Sequence, residues 1–250
     1  MRGKTIFEQM RLAYLLTAAL LTPLGSVRAQ DPGDESLRLY AVEIGHPTQS
    51  WMRYAIDQAK TLFGKNPLGS QAGYGVYLGQ GLIITAAHVV GSAQRTPPIV
   101  RIANLDLPGK AVKEGAFEQV DLTLVTVDEN RLPVSLRLRR MPLCPTPPQV
   151  GEAVIVAIPE GIARSTIISP QMLPPNLRTK FPTVIKDVAT TGNSGSGVFD
   201  ADRRCLLGIM SRKIVSRQKG ILGMTQEKDI AKYFVPSATI AAFIPSEYRN

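Results

Sequence analysis

The chain has 250 residues, 44% hydrophobic and 20% charged, with 19 prolines and 21 glycines scattered along it. Those values suit one globular unit of many short elements joined by turns, and they exclude a helix bundle, a repeat array and a low-complexity chain. The formal charge of +9 is spread out apart from Arg137-Leu138-Arg139-Arg140, and no basic stripe is interleaved with aromatics, so nucleic acid is not an expected partner.

Residues 1–29 carry a positive start (Arg2, Lys4, Arg11), the apolar run Leu12–Gly25 and the small-residue pattern Val27-Arg28-Ala29. This is the pattern of a signal peptide cut after Ala29, and the run is shorter than the ~20 residues of a membrane-spanning helix. Its removal takes away four basic residues and one acidic residue, lowering the formal charge to +6. The expected location is the periplasm or the outside, with no stable membrane span after cleavage. Residues 30–36 read as a flexible leader. Leu37–Ile44 reads as a strand, and residues 51–63 as an amphipathic helical insert with Ser50 as its cap and Gly64 as its end.

From Tyr74 the pattern becomes β. Two apolar strands flank Gly79-Gln80-Gly81, a hairpin signal. Pro98–Leu105, Ala111–Phe117 and Asp121–Val127 follow as short strands, then a proline- and arginine-rich connection, residues 129–149. A second group of strands runs from EAVIVAI (residues 152–158) to about Phe234, and residues 237–245 read as a closing helix capped by Ser237. The expected fold class is all-β: two six-stranded antiparallel barrels, residues 37–140 and 141–250, with a site in the cleft between them.

The chain has two histidines, His46 and His88, and no Cys/His cluster with zinc spacing, so neither a metal nor a cofactor is expected. Cys144 and Cys205 are its two cysteines. A bridge and two buried thiols are both open readings, and export favours the bridge.

A serine hydroxyl is a poor nucleophile until a base takes its proton and a third group orients that base. His88 ends a strand behind the small residues Thr85-Ala86-Ala87. Asp121 opens an apolar strand, where a carboxylate needs hydrogen bonds. Ser194 lies in Gly192-Asn193-Ser194-Gly195, whose glycines permit a tight backbone aiming the N–H groups of Gly192 and Ser194 at one point as an oxyanion hole. Each feature alone reads more simply as a core histidine, a turn aspartate or a loop. Their conjunction in the order His…Asp…Ser is that of the chymotrypsin group.

ITAAHVV around His88, VDLTLVTV around Asp121 and TTGNSGSGVFD around Ser194 resemble the histidine box, aspartate strand and serine box of the trypsin-like serine peptidases. The spacings resemble those of bacterial HtrA-type and glutamyl-endopeptidase-type members, and the likeness covers about residues 37–245. No PDZ-like domain is expected after the catalytic unit. The resemblance implies that His88 is the general base, Asp121 its orienting partner and Ser194 the acylated nucleophile of an endopeptidase taking peptide or protein substrates. It implies that Ser211 hydrogen-bonds Asp121. The pocket is expected to draw on Val188, Ala189 and Thr190 for its floor and on Ser211, Arg212 and Lys213 for its wall. It also implies a Cys144–Cys205 bridge. The chain departs from the family's animal members at Asn193, where they carry an aspartate that pairs with a freed N-terminus, so activity without that activation is expected. Neither the side-chain preference nor the oligomeric state follows from the sequence. The competing reading is a catalytically silent binding or sensor protein on the same fold, its cleft occluded by residues 51–63 or 170–182. An α/β-hydrolase esterase is disfavoured, because GNSGS lacks the last glycine of GxSxG and the alternating helices are missing.

Overall fold

The apolar runs separated by turn residues pair as antiparallel strands in two groups. The structure is a computed structural model that describes residues 32–46, 73–91, 96–186, 194–219 and 225–249. Residues 1–29, read from the sequence as a signal peptide, and residues 51–63, read as a helical insert, lie outside them.

The first group comprises β1 (Ala41–Gly45), β2 (Gly73–Gly79), β3 (Leu82–Thr85), β4 (Ile99–Ile102), β5 (Leu105–Pro108), β6 (Lys110–Glu114) and β7 (Thr123–Thr126). They form one seven-stranded sheet in the order β5-β4-β1-β2-β3-β7-β6. This is a half-barrel rather than the closed six-stranded barrel expected. Its two edge strands, β5 and β6, are joined by Gly109 alone, so the sheet must curl to bring its edges together. The segment read as one strand, Pro98–Leu105, splits at Ala103-Asn104. Both residues have positive φ, +49° and +63°, the conformation of a tight hairpin turn. The β2–β3 hairpin turns at Gly79, Gln80 and Gly81, with φ of +118°, +53° and +74°.

Strand alternation divides the core in two. Tyr77 and Ile83 point into the half-barrel with Val42, Ile44, Val100 and Val125. Val76, Ile84 and Leu124 point the other way and pack with Ile155, Phe199 and Ile209 of the second group. The second group contains β8 (Ala153–Ile158), β9 (Gly161–Ile168), β10 (Val184–Lys186), β11 (Gly197–Asp200), β12 (Leu206–Lys219) and β13 (Thr225–Pro236). They close as a barrel in the order β10-β13-β12-β11-β8-β9, with β9 pairing back to β10. β12 and β13 run well beyond the segments that hydrophobicity marks, because their outer halves pair with each other.

Two further expectations are altered. In the leader, residues 32–35 form a helical turn, and Asp34 is fully buried between the guanidinium groups of Arg164 and Arg204. Arg38 then donates to the Pro159 carbonyl at 2.6 and 3.1 Å. These links tie the segment ahead of β1 to the second barrel. The closing helix spans Ser237–Phe243, but Pro236 occupies the capping position. The buried Ser237 hydroxyl donates instead to the Cys144 carbonyl at 2.9 Å. Cys144 is bonded to Cys205, their Cα atoms 5.0 Å apart, which staples the connection between the two groups to the start of β12. Asp200 approaches both sulfurs, but sulfurs in a disulfide offer no thiolate to a metal. Among the described residues no helix is long and apolar enough to cross a membrane.

Candidate active site

β3 ends at Thr85, and the chain turns at once into a four-residue helix, Ala87–Val90, that carries His88. Ala86 and Ala87 are buried at this junction. The His88 side chain keeps 31% exposure. Asp121, two residues ahead of β7, is 2% exposed. Its carboxylate faces His88 Nδ1 at 2.8 and 3.0 Å. The His88 backbone N–H donates to it at 3.1 Å, and the Ser211 hydroxyl donates at 2.5 Å. Burial acts to raise the Asp121 pKa, but these hydrogen bonds and the neighbouring imidazole together outweigh it and leave the carboxyl below its ordinary range. A buried carboxylate thus stays ionised beside the ring. With Nδ1 engaged by Asp121, a neutral His88 presents Nε2 as a proton acceptor.

Ser194 opens the turn before β11, and its backbone is fixed by contacts to both strand groups. Its carbonyl accepts the Tyr74 N–H at 2.9 Å from the first sheet. The next residue, Gly195, donates to the Met210 carbonyl at 2.8 Å in the second barrel. Gly195 has φ +88°, and a Cβ placed there would lie 1.8 Å from the Tyr74 carbonyl oxygen and 2.6 Å from Thr85 Oγ1. Thr85 Oγ1 already donates to that oxygen at 2.5 Å. Only glycine lets the two halves approach this closely beside the serine. The Ser194 hydroxyl donates to the Ser211 carbonyl at 3.3 Å, so in this rotamer its proton points along β12 and not to the imidazole.

Phe117, on the loop between β6 and β7, meets the His88 ring edge-on, with centroids 5.1 Å apart. Arg212 follows Ser211 on β12 and stacks on the outer face of Phe117, while Lys213 pairs with Asp229. Of the residues singled out from the sequence, the structure links His88, Asp121, Ser194, Ser211 and Arg212 into one cluster of hydrogen-bonding contacts. Gly192 and the expected pocket floor, Val188, Ala189 and Thr190, lie outside the described residues. Sequence reasoning missed Tyr74, Thr85 and Phe117. Their roles depend on contacts 11 to more than 100 residues away, and no local pattern marks them.

The sequence model of the trypsin-like peptidase domain family matches residues 73–209. No curated protein matches the chain significantly. Among solved structures, the active form of the Rv3671c protease of M. tuberculosis is similar at a TM-score of 0.53 and 14% identity, covering 85% of this chain and 82% of that one. The MamO protease domain of Magnetospirillum magneticum aligns at 0.52 and 15%, covering 84% and 98%. Kallikrein-related peptidase 10, in complex with Zn2+, aligns at 0.55 and 17%, covering 85% and 96%. At these identities the likeness speaks to the fold, and it agrees with the half-barrel and barrel described above. With the family match spanning more than half of the chain, the protein belongs to the trypsin-like peptidase family and is a serine-type endopeptidase.

Proposed function

We propose that the protein is an exported endopeptidase that hydrolyses peptide bonds through His88, Asp121 and Ser194. The observation that carries this reading is the ionised Asp121 held on His88 Nδ1 by its own ring of donors, which leaves Nε2 of the neutral ring to act as a base. For the reaction the Ser194 hydroxyl leaves the Ser211 carbonyl, to which it donates at 3.3 Å, and donates to Nε2 instead. His88 then takes the proton as Oγ attacks the substrate carbonyl, and the tetrahedral oxyanion falls to the N–H groups of Gly192 and Ser194. Each such donor is worth about 3 kcal/mol in the transition state. Collapse expels the leaving amine, protonated by the imidazolium, and Asp121 stabilises that imidazolium throughout. Water repeats the cycle on the acyl-enzyme. Export to the periplasm or the outside is supported by the pattern of residues 1–29 and by the Cys144–Cys205 bridge, which suits an oxidising compartment.

A second reading, a silent binding or sensor protein on the same fold, is favoured by one observation: the Ser194 hydroxyl is engaged by Ser211 and not by His88. Labelling of residues 30–250 with a fluorophosphonate probe separates the two. Labelling abolished by Ser194→Ala and by His88→Ala supports the peptidase reading, and a folded protein that never labels supports the silent one. Labelling of the freshly signal-cleaved protein also checks that no second cut is needed.

A further inference from the structure

Arg212 sits where β12 leaves the active site. Its guanidinium carbon lies 3.7 Å from the centre of the Phe117 ring and 5.6 Å from that of Phe181. One of its N–H groups reaches the Phe117 carbonyl, and Nε lies 3.4 Å from Ser211 Oγ, the hydroxyl that holds Asp121. Because Phe117 meets His88 edge-on, the cation is one ring away from the imidazole.

A guanidinium has five N–H donors, and the Phe117 carbonyl and Ser211 take two. The nearby ammonium groups are matched by carboxylates, Lys180 by Glu118 at 3.5 Å and Lys213 by Asp229. Among the described residues Arg212 has no carboxylate within ion-pair distance. Stacking on Phe117 holds the fork flat and partly desolvated, so little freedom is left to lose when a ligand arrives. A planar, pre-oriented fork with unspent donors suits bidentate capture of a carboxylate. The net positive charge of the chain would draw such a ligand toward it.

We propose that Arg212 is a specificity-determining residue that takes a carboxylate side chain of the substrate on the Phe117 side of the cleft, so that acidic peptides are preferred. This rests on the peptidase reading above and adds to it a substrate class. The test is fluorescence anisotropy with the Ser194→Ala protein and alanine-rich peptides in which one Glu, or one Gln, is moved along the sequence. At one position Glu should bind at least about tenfold tighter than Gln. The preference should vanish when Arg212→Gln is added and return in part with Arg212→Lys, which keeps the charge without the fork. Equal binding of Glu and Gln peptides by the parent overturns the proposal. So does a preference that survives Arg212→Gln, or an equal loss for all peptides in both variants, which would make Arg212 a staple for the Phe117 loop. Thermal melting identifies a variant that fails to fold, in which case Arg212→Lys carries the comparison. Binding needs no turnover, so failed fluorophosphonate labelling of the native protein strikes the peptidase reading, whereas failed Glu selection strikes this proposal.

Discussion

Replacing Ser211 by alanine removes one buried hydroxyl, and its consequence depends on pH. The hydroxyl donates at 2.5 Å to the Asp121 carboxylate, both groups being almost fully buried. A hydrogen bond to a charged group contributes about 1.5–3 kcal/mol, and its loss leaves a carboxylate lone pair uncompensated in a low-dielectric setting. Ser211→Ala should therefore cost about 2 kcal/mol at pH 7. The sign of the pH dependence follows from Asp121, whose pKa is held below the ordinary carboxyl value in the folded state. Such a group contributes stability that is fully present above the unfolded pKa of about 3.9 and is lost as pH falls through the folded value. The variant raises the folded pKa toward the unfolded one, so it forfeits part of that contribution. Urea unfolding of both proteins from pH 7 down to pH 3 should show a gap constant above about pH 5 and narrowing below about pH 4. A gap that stays the same width across this range would refute an electrostatic role for Ser211, and one below about 0.5 kcal/mol at pH 7 would show that the carboxylate does not depend on it.

Gly195→Ala should be far more damaging, because its Cβ would lie 1.8 Å from the Tyr74 carbonyl oxygen. We expect a loss of more than about 3 kcal/mol by chemical denaturation, together with loss of fluorophosphonate labelling as the Ser194 backbone is displaced. Replacing both Cys144 and Cys205 by alanine opens a closure spanning 61 residues and should cost about 4 kcal/mol, matched by reductant treatment of the native protein in the same melt. Asp34→Ala removes the buried carboxylate shared by Arg164 and Arg204. Because both arginines keep some access to water, we expect a loss of about 1–3 kcal/mol, and hydrogen exchange should show faster opening of residues 32–40 with the barrel strands unchanged.

The sequence by itself determined the β class, with strands in two groups and a short closing helix, and it marked out a few polar residues set in apolar surroundings. These are carried by local signals: alternating or continuous apolar runs, glycine turns, and polar residues set where an apolar pattern makes them costly. His88, Asp121 and Ser194 stand out for that reason. The hairpin at Ala103-Asn104 was not legible, because two non-glycine residues with positive φ carry little signal, and without that turn Pro98–Leu105 read as a single strand. Asp34 looked like part of a polar leader, since nothing nearby reveals that Arg164 and Arg204 will close over it. Ser237 has a capping residue's identity, yet the Cys144 carbonyl, 93 residues away, took its hydroxyl. The tertiary structure alone decided that Tyr74 pins the carbonyl of Ser194, that Thr85 and Gly195 meet at one oxygen, and that Arg212 lies over Phe117 beside His88. Each of these is a contact between strands distant in sequence. Its energy depends on ångström-scale approach of two backbones, which packing sets and composition does not record.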